Sequence, residues 1–401
     1  MISCIKQLKK IIDKVGIVHY TCPPVVGGVE EIIRHQTKML TDDRIDVRVI
    51  VGDGDRFNGK IDLVIIPELK ADIGRRFNPR LKEKIYDSLI HATKGLDLII
   101  VHNMMTMPFN LEATAAIAEI SRVIPTITWV HDLAWFDPAY PFPNKEFPWS
   151  LLINRNPDMK YVVISELRKR QLTKLFGATE DTPVIPNGVD IFEITNCDTE
   201  LARILEPKID KGAIALTPGR LVRRKNFELA ISIVAEINKK MAFSLIITAP
   251  VDPHNPDTRD YYQDLKVLVN RLQLDDRVVF LSEMADLTRW DRIRSLYLLS
   301  DILLLTSKIE GFGLPVMEAA ILKTPVCVSA IPPVMNIVGD SGVITFDYHD
   351  QPSDIARLIV DRLQSSDDFR LRRRVIEEFS WRRIYQNKIK PVLNAVITAR
   401  R

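Results

Sequence analysis

The stretch "EGFGLPVME", Glu310 to Glu318, sets one carboxylate at each end of an apolar, glycine-bearing run. Before it stands "DILLLTSKI", a continuous apolar run that reads as a buried parallel strand. After it, "VMEAAILK" reads as a helix with an apolar face. Gly311 and Gly313 fall at the strand-to-helix turn, with Phe312 and Leu314 beside them, and Pro315 suits a first helical turn. Such a turn presents free backbone N–H groups next to a positive helix end, which binds phosphates or polar oxygens. Two carboxylates cannot serve as ligands of an anion, so Glu310 and Glu318 read as acceptors for hydroxyl donors, which sugars and riboses supply. Glu318 lies within small apolar residues, and a buried glutamate needs a partner.

Three further constellations sit at expected strand ends. In "PPVVGGVEE", Gly27 and Gly28 open a helix, where glycines let a backbone approach a ligand and the helix end favours phosphate. The pair equally fits an ordinary turn, and it is not the GxGxxG fingerprint of dinucleotide enzymes. In "WVHDLAW", His131 and Asp132 close a strand, a place for a hydrogen-bonded core histidine as much as for a functional one. In "TPGRLVRRKNFELA", Arg220 and Lys225 bracket a loop before a helix. A guanidinium fork and an ammonium point charge there suit a diphosphate, while Arg223 and Arg224 read as a solvated loop.

The elements that must position these groups alternate throughout. Apolar strands are expected at 15–20, 46–51, 62–67, 97–102, 126–131 and 161–165, and again at 213–219, 244–250, 277–282, 301–307 and 325–330, with helical stretches between. The fold class is therefore α/β, with parallel sheets covered on both faces. Two sets of strands give two doubly wound, Rossmann-like domains, residues 1–190 and 191–380, with a linker near 187–212. Ligands of such sheets bind beyond the carboxyl ends of the strands, so facing domains would enclose a cleft. The chain has 401 residues and a net charge of +3 from 55 basic and 52 acidic side chains, which is too even to argue for nucleic acid. No apolar run reaches a membrane span, and Cys4, Cys22, Cys197 and Cys327 form no CxxC pair, so a reduced, cytoplasmic protein is expected. "MISCIKQLKKIIDK" at the start reads as a short basic helix packed on its own domain in preference to a membrane surface.

Taken in order, "GGVE", "HD", "VIPNGVD", "PGRLVRRKN", "EGFGLPVMEA" and "FSW" (379–381) give the sequence a resemblance to retaining glycosyltransferases of the GT-B fold, most similar to family 4. "EGFGLPVME" fits that family's Glu-x7-Glu signature, and the similarity runs over nearly the whole chain. The resemblance implies an acceptor-side first domain, a nucleotide-sugar-binding second domain, and a last helix, 381–401, that packs back on the first. It implies that Glu318 binds the ribose of the donor, and that Glu310 lies by the sugar ring with the backbone of Gly311, Phe312, Gly313 and Leu314 around sugar and phosphate. It further implies that Arg220 and Lys225 hold the diphosphate, that Gly28 approaches it, and that His131 contacts the transferred sugar. Transfer of a hexose with retention, by front-face attack, would follow, with no metal and no cofactor besides the nucleotide-sugar substrate. Pro391 should kink the last helix. Ser282 departs from the family's glycine, which leaves the nucleobase open.

Other readings stay open on sequence alone. A metal-dependent transferase needs an Asp-x-Asp motif, and "DGD", Asp53 to Asp55, reads instead as a solvated turn. A nucleotide-sugar epimerase or a non-catalytic sugar-binding protein could use the same frame. The acceptor is a hydroxyl compound, with a small polyol or saccharide preferred to a lipid-linked one, and peripheral membrane contact is not favoured.

Overall fold

The computed structural model describes residues 12–59, 61–140, 142–177, 181–249 and 256–399. Most of the expected N-terminal basic helix, with Cys4, lies outside these residues. The chain divides into two compact units, Met1–Val189 with Trp381–Arg401, and Asp190–Ser380.

The first unit holds strands β1 (Lys14–Thr21), β2 (Asp46–Asp53), β3 (Asp62–Ile65), β4 (Leu98–His102), β5 (Thr126–Val130) and β6 (Met159–Val163). They form one parallel sheet in the order β3-β2-β1-β4-β5-β6. Val15 pairs with Val47 on one side and Leu98 on the other, and β4 and β5 are buried along their whole length. That burial on both faces is why these segments read as unbroken apolar runs. Side-chain caps start the flanking helices: Asn110 Oδ1 accepts from Ala113 N, and Ser165 Oγ from Arg168 N.

The second unit repeats the plan. Strands β7 (Ala213–Thr217), β8 (Phe243–Ile247), β9 (Val278–Phe280), β10 (Ile302–Leu305), β11 (Val326–Ser329) and β12 (Ile344–Phe346) run β12-β11-β10-β7-β8-β9. Counted from its own first strand this is the 3-2-1-4-5-6 order of the first sheet, so both units are doubly wound α/β folds. β12 was not foreseen, because three edge residues after Gly342, only the last of them buried, carry too little periodicity to register. The expected linker also needs correction. Residues Thr199–Lys211 form a helix, capped by Asp198 and buried through Leu201, Leu205 and Ile209, whose i, i+4, i+8 spacing lays one face on the second core.

The end of the chain belongs to the first unit. Trp381–Ile384 is helical, Tyr385–Ile389 makes a π turn, and Lys390–Ala399 continues as α-helix. Pro391 offers no N–H to Asn387, and the wider turn falls at that point, so the proline leaves a local widening in place of a break. Trp381, Ile384, Tyr385, Ile389, Leu393 and Ile397 are buried with Val15 and Ile17 of β1. Tyr385 donates to Asp43 Oδ2 at 2.7 Å, Lys390 Nζ lies 2.7 Å from the same oxygen, and Trp381 stacks on His35 with ring centroids 5.2 Å apart.

Leu393 is fully buried in this contact. Leu393→Ala should destabilise the first unit by about 2–5 kcal/mol, the range for a leucine cut to alanine in a packed core. Tryptophan fluorescence in a denaturant titration reads this unit, because Trp129, Trp135, Trp149 and Trp381 lie in it and only Trp290 does not.

Candidate active site

β7 and β10 are neighbours in the second sheet, with Ala215 opposite Ile302, and the strand order reverses between them. Open parallel sheets bind ligands beyond the carboxyl ends of such a pair. Both loops of interest begin there. Thr306 Oγ, just past β10, donates to the carbonyls of Lys225 (3.1 Å) and Asn226 (2.8 Å), and Lys308 N donates to Arg224 O at 2.8 Å. One loop therefore carries the other. Gly219 has φ +129°, and a Cβ there would stand 3.2 Å from Lys225 Cε, so glycine gives the lysine its path across the loop.

That path ends on Glu310. Lys225 Nζ and Ser307 Oγ each lie 2.5 Å from Glu310 Oε1, and Arg224 Nη1 reaches Oε2 at 3.4 Å and Ile309 O at 2.8 Å. The Lys225 and Glu310 side chains are both 9% exposed. Burial pushes the Glu310 carboxyl upward, but its hydrogen bonds to Lys225 and Ser307 and the charges of Lys225 and Arg224 outweigh this and hold it below the usual value. Arg220 is exposed, and among the described residues its side chain has no hydrogen-bond or ion-pair partner.

Gly313 caps the helix Leu314–Ile321 with φ +118°, a left-handed conformation that suits glycine. Among the described residues the N–H groups of Gly311, Phe312, Gly313 and Leu314 have no acceptor, and Gly311, Phe312 and Leu314 are exposed. Glu318, one turn further on, is half-buried and accepts from Tyr297 OH at 2.6 Å through Oε2. Burial, then the Glu318 bond and charge, raise the fully buried tyrosine's pKa, so it remains a neutral donor. Among the described residues Oε1 takes no hydrogen bond.

Arg223 and Arg224 are exposed, as a solvated loop requires, but both also have partners. Arg223 pairs with Asp264 at 2.8 Å and lies 4.8 Å over the Tyr261 ring, while Arg224 joins the Glu310 cluster. Tyr297, Ser307, Arg224 and Gly219 were missed by sequence reading. Each is defined by the partner it meets in the folded chain, Tyr297 with Glu318 and Arg224 with Glu310 across long separations, Ser307 with Glu310 and Gly219 with Lys225 within one loop. Ser282 Oγ donates to Ala249 O at 2.9 Å and ties the loops after β8 and β9 together. Asp53 ends β2 and pairs with Lys70 at 2.9 Å, as a surface turn.

In the first unit, Gly27 and Gly28 follow β1. A Cβ at Gly27 would stand 2.1 Å from Glu30 Oε2, so this glycine makes room for the chain's own carboxylate, which accepts from Thr21 Oγ. Gly28 has open space above its Cα. His131 follows β5 and is buried, with Nε2 2.9 Å from His102 Nδ1. Asn103 Oδ1 accepts from both His131 N (2.8 Å) and Asp132 N (3.0 Å), and Arg168 donates to His131 O and Asp132 Oδ1. Burial, aided by the charge of His19, lowers the His131 pKa to about 3, and burial lowers those of His102 and His19 as well.

Two parallel sheets of this order in one chain define a two-domain α/β protein whose candidate site residues follow β1, β5, β7 and β10. "Glycosyl transferases group 1" matches residues 199–379 and "Glycosyltransferase Family 4" matches residues 26–192. The chain belongs to these glycosyltransferases, of the GT-B type resembling family 4. It is 26% identical over 363 residues to the mannosylglucosylglycerate synthase of Petrotoga mobilis, covering 80% of this chain and 83% of that one. It is 36% identical over 94 residues to the O-antigen chain mannosyltransferase RfbU of Salmonella typhimurium, covering 23% and 25%. Among solved structures, sucrose-phosphate synthase of Thermosynechococcus elongatus is 16% identical with a TM-score of 0.40, covering 96% of this chain and 100% of that one. No described helix is long and apolar enough to cross a membrane.

The buried histidines carry a pH signature. A histidine whose folded pKa lies below its unfolded value, about 6.5, contributes stability that is present above that value and lost as pH falls. The first unit should therefore lose stability progressively as pH falls below about 6.5, tracked by its tryptophan fluorescence. An unfolding midpoint that stays constant from about pH 7 to pH 5 would mean that all three rings charge in place.

Proposed function

We propose that the enzyme transfers a hexosyl group from a nucleoside-diphosphate sugar to a hydroxyl acceptor, with retention at the anomeric carbon and without a metal ion. The observation that carries this reading is the junction of β7 and β10. There a buried lysine, an unpartnered arginine and a run of free N–H groups meet beside two carboxylates. Cations and helix-end amides serve a diphosphate, and carboxylates serve the hydroxyls on either side of it.

In this reading Glu318 Oε1 accepts from the donor's ribose while Tyr297 holds Oε2 and so fixes the carboxylate's plane. Arg220, Lys225 and the amides from Gly311 to Leu314 take the diphosphate. The bond from the anomeric carbon to the diphosphate oxygen breaks, and negative charge grows on that oxygen where the cations and amides already stand. The acceptor oxygen forms the new bond on the face the diphosphate leaves, and its proton passes to the leaving oxygen. In the free protein Glu310 satisfies Lys225. Donor binding lets Lys225 turn to phosphate, and Glu310 is then released to a sugar hydroxyl. In the first unit the groups assigned to the donor are the open turn at Gly28 and the neutral ring of His131. The names of several relatives, the Petrotoga mobilis synthase and RfbU among them, put mannosyl donors first in the search, with small polyol or saccharide acceptors.

A melting screen against UDP-, GDP-, ADP- and TDP-sugars should show one nucleotide class stabilising the protein, by about 2.7 kcal/mol at 100 times its dissociation constant. Transfer should persist in EDTA and give a product of retained configuration. Glu318→Ala should cost donor affinity roughly 1.5–3 kcal/mol, the worth of a charged hydrogen bond. Glu310→Ala should act chiefly on kcat. Activity abolished by EDTA and restored by manganese would contradict the metal-free reading, and conversion of the donor to an epimer without acceptor would replace transfer by isomerisation.

A further inference from the structure

β1, β4 and β5 lie side by side, and their carboxyl ends bring His19, His102 and His131 into one buried group. His102 is fully buried between two partners. Its Nδ1 faces His131 Nε2 at 2.9 Å, and its Nε2 faces Gln36 Oε1 at 3.1 Å, where Gln36 is itself 1% exposed. A neutral imidazole has one donor and one acceptor nitrogen. Gln36 Oε1 can only accept, so His102 Nε2 carries its proton and His102 Nδ1 is the lone pair. His131 Nε2 must then donate, which leaves His131 Nδ1 as an acceptor.

We infer that Gln36 and His102 are positioning residues that fix the tautomer of His131, so that its Nδ1 accepts a hydrogen bond from a hydroxyl of the transferred sugar. The second half of this rests on the function proposed above. The backbone that carries the ring is held as well. Asn103 Oδ1 binds the His131 and Asp132 amides, and Arg168 clamps the His131 carbonyl to the Asp132 carboxylate. His19 stands outside the relay, since its Nδ1 bonds to the His102 carbonyl at 3.0 Å and not to a ring nitrogen. Burial keeps the His102 and His131 rings uncharged, so the polarity of the chain is set by Gln36 and not by a proton gained from solvent. Among the described residues Gln36 Nε2 has no partner, so the bond to His102 is the one its side-chain amide makes there.

The test is nitrogen NMR of the full chain labelled with 15N-histidine at neutral pH, with the His131 signals assigned from His131→Asn. His131 should show a protonated Nε2 and an unprotonated Nδ1. Gln36→Leu, which removes the acceptor, should mix the two tautomers, and Gln36→Glu should keep the wild-type one. With a mannosyl or glucosyl nucleoside diphosphate that the enzyme turns over, Gln36→Leu should lower kcat about tenfold with donor KM changed less than about twofold, and Gln36→Glu should restore it. A wild-type His131 protonated at Nδ1, or a Gln36→Leu spectrum identical to wild type, overturns the relay. A tautomer that depends on Gln36 in a protein that turns over no nucleotide sugar supports the relay and overturns the sugar-transfer reading.

Discussion

The ion pair between Lys225 and Glu310 sets the terms for the second unit's binding loops. Neither charge could stay in so covered a place alone, because removing one partner from a buried pair leaves an uncompensated charge. Each requirement around it follows from that. Gly219 must lack a side chain for the lysine to cross, Ser307 must supply the carboxylate's second bond, and Thr306 must hold the two backbones together. The pair can form only because β7 and β10 are adjacent, and that adjacency is the point of reversal in a doubly wound sheet.

Such a pair is a weak source of stability and a good store of charge. Desolvation offsets much of the attraction between the partners, so a diphosphate, with two charged groups of its own, can take the lysine without a large net loss. The amides from Gly311 to Leu314 differ in kind. They are fixed by the backbone, need no reorganisation, and offer partial positive charge where the helix begins. Fixed dipoles and an exchangeable cation give a site whose lysine is paired with a carboxylate when empty and could turn to a diphosphate when occupied.

Much of this was legible in the sequence. Eleven of the strands announce themselves as apolar runs, most of them because parallel strands are buried on both faces, and the glycines and carboxylates of 310–318 stand in strict order at a strand end. What the sequence hid depends on partners that only the folded chain brings together. Arg224 is exposed as a loop charge would be, and only the fold shows that it also reaches Glu310 and the Ile309 carbonyl. Gly27 looked like a ligand-facing glycine, yet its missing side chain makes room for Glu30. His102 ended an ordinary strand, and only the sheet shows it between Gln36 and His131. β12 and the helix 199–211 were lost for a different reason, since one is too short for periodicity and the other lies where a linker was expected.

The claim at the centre is that Arg220 and Lys225 serve the diphosphate and not the nucleoside. Calorimetric titration of wild type, Arg220→Ala and Lys225→Ala with a nucleoside and with its diphosphate addresses it directly. Each variant should bind the nucleoside nearly as wild type does and bind the diphosphate at least about tenfold more weakly, a difference of about 1.4 kcal/mol. Equal losses for both ligands would mean that the loop after β7 shapes the base pocket, and the charge-exchange account would fail.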